Sequence, residues 1–389
     1  MKAKSIKGNS SAEIRDALLS AMQEDSTNPF KPSVGIAFIS VKLDRTEICK
    51  IFNDAGIDII GATSSGEFIE GHQSEGAAVI LLLEINKDYY KPIFRAIGDE
   101  GMVEYARSFA GEAVKIYKNP AFILFSTAQS ADGTMIQGET LLRSIEDIAG
   151  SDVNIFGGMA GDDITFTGTY VFSNNESTDY GMTALVIDQE KISVSGLAIS
   201  GWKAVGITRT ATKTEDNIIH EIDGQPALEL YLRFLGTDII SQADSATFFD
   251  VLGIQYPFQI ERTNREPMMC TPIRFDKAQG SLICEANVPQ GSKFRFSTPP
   301  DFDIIETVIE QAEVLKEQAG TDAEALLIFS CAGRLSALGP LAHQENQGLQ
   351  QVWNAPMAGF YTYGEYGKGR DGKHEFHSTT CSWVALTEK

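Results

Sequence analysis

Two stretches, "IIGATSSGEF" (59–68) and "AGFYTYGEYGKG" (358–369), place a carboxylate among glycines and hydroxyls directly after an apolar run. The first supplies Ser64, Ser65, Gly66 and Glu67; the second supplies Thr362, Tyr363, Gly364 and Glu365. Hydroxyl, amide and carboxyl groups that converge in a concave site suit a small polar ligand. Arg334, just past "LLIFSC", adds a guanidinium that can clamp a carboxylate with two parallel bonds. Glu345 can accept from an ammonium group. Together these residues form the expected ligand-binding set. A structural alternative stands beside it: Arg334 and Glu345 pair with each other, and Glu67 and Glu365 cap nearby backbone donors. On the ligand reading, replacing Arg334 or Glu365 by Ala weakens binding without unfolding the chain.

Other chemistry is thinner. Cys331 ends an apolar strand and could serve as a thiol nucleophile with His343 or His377 as base. Against that, the chain has no GxSxG, HExxH or Walker A pattern, and its glycine loops lack GxGxxG spacing. The structural alternative for Cys331 is a buried small hydrophobe. On balance the chain is not read as an enzyme. The five cysteines are widely spaced without CxxC, which points to reduced thiols rather than a disulfide framework, and no metal site is expected. No CxxCH is present, so covalent c-type haem attachment is excluded. Among the five histidines, His377 in "EFHSTT" is the candidate axial ligand for a non-covalent haem, and His72 sits in a polar context.

The elements that must hold these residues repeat. "VGIAFISV" (34–41) reads as a buried strand, "RTEICKIFNDAG" (45–56) as a helix with Ile48, Ile51, Phe52 and Ala55 on one face, and "IDIIGATSSGEF" as a strand ending in a glycine loop. "AFILFST" (121–127), a helix over 132–150 and "VNIFGGMAGDD" (153–163) repeat the order, as do "ALLIFSCAG" (325–333), a helix around 343–354 and "APMAGFYTYGEYG" (355–367). Glycine after a strand admits close backbone approach. Loops at strand C-termini are where open α/β sheets bind ligands. Alternating strands follow each loop, and residues 192–213 read as a meander. The expected fold is therefore α/β with mixed α+β character: repeated strand–helix–strand units, mixed sheets, antiparallel meander strands and two domains. A lead-in covers residues 1–33, and the domain boundary falls between 225 and 226, inside the 220–237 stretch where meander gives way to helix.

Composition fits a folded globular chain: 389 residues, 43% hydrophobic and 22% charged, with a formal net charge of −21. That acidity opposes nucleic acid and anionic lipid as partners. No run reaches the roughly 18 apolar residues of a membrane span, and residues 1–11 lack the apolar core of a signal peptide, so a cytoplasmic location is expected.

The ordered motifs "GATSSGEF", "STAQSADG", "IFGGMAGDD", "EIDGQPALELYLRFLG", "CAGR" with "HQEN", and "GFYTYGEYG" with "FHSTT" resemble the FIST proteins, which carry paired FIST N and FIST C domains. The resemblance runs from about Val34 to about Trp383. It implies a sensory protein of signal transduction that binds a small ligand, amino acids and related metabolites having been proposed. It also implies signalling through a separate partner, such as a histidine kinase or a cyclic-dinucleotide enzyme, because the FIST-like region consumes the chain. A homodimer is compatible with it. One branch of the family is a haem-containing nitric oxide sensor, and His377 matches its C-terminal His–Thr signature.

Overall fold

The structure is a computed structural model that describes residues 1–23, 29–236, 248, 252–263 and 265–389. Its mixed α and β architecture is built on one repeated unit. In the first unit, strand Val34–Ser40, helix Arg45–Asp54 and strand Asp58–Ser64 form a βαβ crossover with parallel strands. The helix starts where the Asp44 side chain accepts from the Glu47 N–H at 3.0 Å. It stops at Gly56, whose φ of +73° suits a residue without Cβ. A hairpin follows (Glu67–Ile69, His72–Ser74), and Ala78–Glu84 returns antiparallel to Val34–Ser40. Strand Lys2–Gly8 and helix Ser11–Gln23 precede the unit, the strand pairing with Ala78–Glu84.

The second unit repeats this order. Tyr90–Ala96 and helix Met102–Ile116 lead in; Pro120–Ser126, helix Gly138–Ala149 and Asn154–Met159 form the crossover. A hairpin (Val171–Ser173, Glu176–Thr178) and the return strand Gly181–Asp188 complete it. The third unit has Ile192–Ile199 and helix Asp303–Ala319, then Ala325–Cys331, helices Ala332–Leu338 and Ala342–Trp353, strand Met357–Thr362, a hairpin (Glu365–Lys368, His374–His377) and Cys381–Glu388.

Each hairpin leaves its own sheet. The first unit's hairpin joins the third unit's sheet through Met357–Thr362. The third unit's hairpin joins the second through Asn154–Met159, and the second unit's joins the first through Asp58–Ser64. The exchange is cyclic, so all three six-stranded sheets contain a borrowed hairpin. One phenylalanine from each unit meets at the centre: Phe38 lies 5.5 Å from Phe125 and 6.2 Å from Phe329, ring centre to ring centre. Phe360 stacks on Phe38 at 4.4 Å. Strands buried on both faces explain the unbroken apolar runs of the sequence.

Between the lead-in strand and lead-in helix of the third unit lies an insertion. Its strands, from Lys203–Glu215 to Lys293–Thr298, form an eight-stranded antiparallel sheet around helix Ala227–Leu235, with a core of its own that includes Tyr231, Phe258, Phe294 and Phe296. Its outermost strands, Met268–Cys270 and Pro272–Asp276, are consecutive in sequence. The sheet therefore curls back on itself, and Thr271 joins its two edges.

Two sequence expectations shift. The helix expected over 132–150 begins at Gly138, because Ser130, Asp132 and Thr134 tie up an earlier turn: Asp132 accepts from the Ser130 hydroxyl at 2.6 Å and from the Thr134 N–H at 2.9 Å. The meander over 192–213 divides between two sheets, Ile192–Ile199 in the third unit and Lys203–Glu215 in the insertion.

Candidate functional site

The acids in the glycine loops stand at one place in the repeat. Glu67, Asp162 and Glu365 each lie three residues past the end of the second parallel strand (Ser64, Met159, Thr362). Each is buried and bonded internally. Glu67 accepts from the Ser64 hydroxyl and from the Ala77 N–H at 3.1 Å. Asp162 accepts from the N–H groups of Thr167 (2.7 Å) and Gly168 (3.1 Å) and from the Tyr363 hydroxyl at 2.5 Å. Glu365 accepts from the Thr362 hydroxyl, and from the Thr380 N–H (3.1 Å) and hydroxyl (2.7 Å). Burial pushes Glu67 up to about 7 and Glu365 up to about 8, with these hydrogen bonds opposing the shift. Glu67 and Glu365 tie their hairpins to the strands that launch them, the capping role stated for these two as the structural alternative, whereas Asp162 holds its own loop and the third unit's Tyr363.

Arg334 and Glu345 pair with each other. The Arg334 Nε donates to Glu345 Oε2 at 2.7 Å, its Nη2 donates to Oε1, and its Nη1 donates to the Ser200 carbonyl. Both side chains are fully buried. This is the internal pair, and it grips the chain where the insertion departs at Ser200.

A cavity of about 220 Å³ lies between the second unit, the third unit and the insertion. It opens at the C-terminal ends of the parallel strands, where Thr362, Tyr363 and Cys331 line it. Of the expected set, Thr362 and Tyr363 reach it; Glu365 stands behind Thr362, and Gly364 follows Tyr363. Ser64, Ser65, Gly66, Glu67, Arg334 and Glu345 are not among its lining.

The charged groups of the cavity come from the insertion. Arg274 donates from Nη2 to Gln129 Oε1 at 3.3 Å, and its other N–H groups have no protein partner among the described residues. Glu285 accepts from the Thr271 N–H at 2.9 Å. Burial raises its carboxyl to about 7, against hydrogen bonds from Thr271 and Ser378. Arg274 and Glu285 line the same cavity and form no ion pair with each other. Their strands, Pro272–Asp276 and Ser281–Cys284 with the residue that follows, are short and carry no recognisable motif. Gln129, within the quoted "STAQSADG", was the one available sequence signal.

No histidine lines the cavity. Phe376 and Ser378 face it, so strand alternation turns His377 the other way; burial lowers its ring to about 4. His72 and His343 are exposed, while His374 is buried between the Ile155 carbonyl (3.0 Å) and Asn154 Oδ1 (3.2 Å). The residues that line this cavity therefore do not fit an axially His-ligated haem. Cys331 lines the cavity, but burial holds its thiol well above its ordinary range and neither His343 nor His377 lies there to activate it.

Residues 33–225 match the FIST N domain, and residues 227–368 match the FIST C domain. The chain belongs to the FIST family. A search among curated proteins finds no match. FIST domains are sensory domains of signal transduction that bind small ligands. The two FIST domains share sheets: strands from both sides of residue 226 pair in the second unit's sheet, in the third unit's sheet and in the insertion. The cavity has walls from both.

Proposed function

We propose that this FIST protein senses an amino-acid-like metabolite in the cavity between its two FIST domains and reports occupancy to a separate partner, a histidine kinase or a cyclic-dinucleotide enzyme. One observation carries the reading: a guanidinium with unused donors and a carboxyl line one small, mostly apolar cavity without pairing to each other. Arg274 takes the ligand carboxylate through parallel N–H bonds, and Glu285 takes the ammonium. An ammonium beside Glu285 favours the ionised carboxylate, which offsets the cost of desolvating it. The protein works in the cytoplasm, where its cysteines stay thiols, as they are throughout the described residues.

Signalling follows from where the cavity lies. The insertion has its own core and meets the units through polar contacts, among them Gln255 Nε2 to Ser336 Oγ at 2.9 Å, and Arg262 and Arg265 to Glu375 at 2.8 and 3.0 Å. A ligand held between the insertion and the units favours the arrangement in which they close on it, and a partner reads the shift.

Calorimetric titration of the full chain with amino acids tests the site. Arg274→Ala is expected to weaken binding at least tenfold, since hydrogen bonds to charged groups contribute about 1.5–3 kcal/mol. Wild-type affinity in a folded Arg274→Ala protein overturns the assignment.

A further inference from the structure

We propose that the amino acid sensed here has an apolar side chain of about the size of leucine, methionine or phenylalanine. This rests on the amino-acid reading of the cavity and adds what its remaining walls select. Those walls are mostly apolar, among them Met135, Ile136, Met159, Ile254, Ile273 and Phe376, with neutral polar groups such as Gln129 and Thr165 beside them and no further charge among the described residues. Among the described residues of the lining, Arg274 and Glu285 are the only charged ones, and the ligand's own carboxylate and ammonium occupy both. A further charge on the ligand side chain would be stripped of water with no counter-charge, which is strongly unfavourable. Aspartate, glutamate, lysine and arginine are therefore rejected.

Volume sets the lower bound. A dry apolar cavity of roughly 150 Å³ takes up benzene. The cavity here, about 220 Å³, holds a side chain of that bulk together with the head group. Glycine would leave most of it empty, and the lining would lose the contacts that a filled cavity provides. Met135 and Met159 both reach the lining, and their unbranched thioethers adapt to aliphatic or aromatic shapes. The site therefore accepts several apolar side chains rather than one.

The experiment is a calorimetric and thermal-shift comparison on the full chain. The probes are L-leucine, L-methionine and L-phenylalanine against glycine, L-aspartate and L-lysine, with 4-methylpentanoate as leucine lacking its amine. The apolar amino acids are expected to bind at least tenfold tighter than glycine and 4-methylpentanoate, with aspartate and lysine giving no shift. Met135→Glu, at an isolated bridge to Gln129 outside the helices and longer strands, is expected to weaken leucine at least tenfold while Met135→Leu keeps it. Aspartate or lysine binding as tightly as leucine overturns the apolar class but leaves the amino-acid site standing. Leucine affinity unchanged in a folded Met135→Glu protein overturns the placement of the side chain. Equal binding of 4-methylpentanoate overturns the ammonium contact at Glu285. Failure of every probe overturns the amino-acid reading itself.

Discussion

Arg334 and Glu345 show how a residue that looks like a ligand clamp becomes structural. Removing one partner of a buried ion pair leaves the other charged and unsatisfied, at a cost of about 3–5 kcal/mol. Arg334→Ala should therefore lower the urea midpoint by that equivalent, while Arg334→Met combined with Glu345→Leu recovers much of the loss. A double variant as unstable as the single one would show that the Ser200 contact, not the pair, dominates. The buried loop acids lead to a second expectation. Glu67 and Glu365 keep their protons to about pH 7 and 8, while an unfolded glutamate releases its proton near pH 4.5. Between those limits the native state binds more protons than the unfolded one, so their contribution to stability falls as pH rises, by up to ~1.4 kcal/mol per pH unit for each acid. It is fully present below pH 4.5 and lost above pH 8. Glu365→Gln should flatten this slope in urea titrations between pH 5 and 8; an unchanged slope would mean that Glu365 is ionised throughout. At this scale the sequence offered the Arg334–Glu345 pair and the capping acids only as the alternative to a ligand site. It did not reveal Arg274 or Glu285, because nothing local marks them. They become neighbours of Thr362 only when the insertion packs on the third unit.

At the scale of elements, the strand–helix–strand order was legible because period and punctuation agree: unbroken apolar strands, amphipathic helices and glycine stops. The hairpins' destinations were not legible. A three-residue hairpin strand such as Glu67–Ile69 carries little pattern, and its partner Met357–Thr362 lies in the last tenth of the chain. What the sequence does display is the glycine that such a pairing requires. A Cβ on Gly359 would come within 2.2 Å of the Phe68 ring and 2.4 Å of the Ile328 carbonyl oxygen. Gly359 is thus a consequence of the exchanged hairpin, since Phe68 arrives with it. Gly359→Ala should cost about 1–3 kcal/mol by overpacking, and Phe68→Ala in the same chain should recover part of that loss. If Phe68→Ala gives no relief, the conflict lies with the Ile328 carbonyl of the strand's own sheet.

The whole molecule divides differently for sequence families and for sheets. The family boundary near residue 226 falls within the insertion, whose strands Lys203–Glu215 and Lys293–Thr298 pair across it. A fragment ending at residue 226 would leave the Glu67–Ser74 hairpin without Met357–Thr362, Ile192–Ile199 without Cys381–Glu388, and the insertion without half of its sheet. Such unpaired strands carry exposed backbone donors and apolar faces, so the fragment should unfold without a cooperative transition or aggregate. The insertion should be removable by contrast. Lys203 and Thr298 are cross-strand partners, so its two ends leave the core side by side and a short Gly/Ser linker can replace residues 203–298. That shortened chain retains all three units with their exchanged hairpins and the central phenylalanines. It should melt cooperatively while losing amino-acid binding, because Arg274 and Glu285 leave with the insertion. Circular dichroism melts of the two proteins decide between the alternatives. A cooperative melt from the 1–226 fragment would mean that the exchanged hairpins are dispensable. Collapse of the shortened chain would mean that the insertion holds the units together rather than closing over a ligand between them.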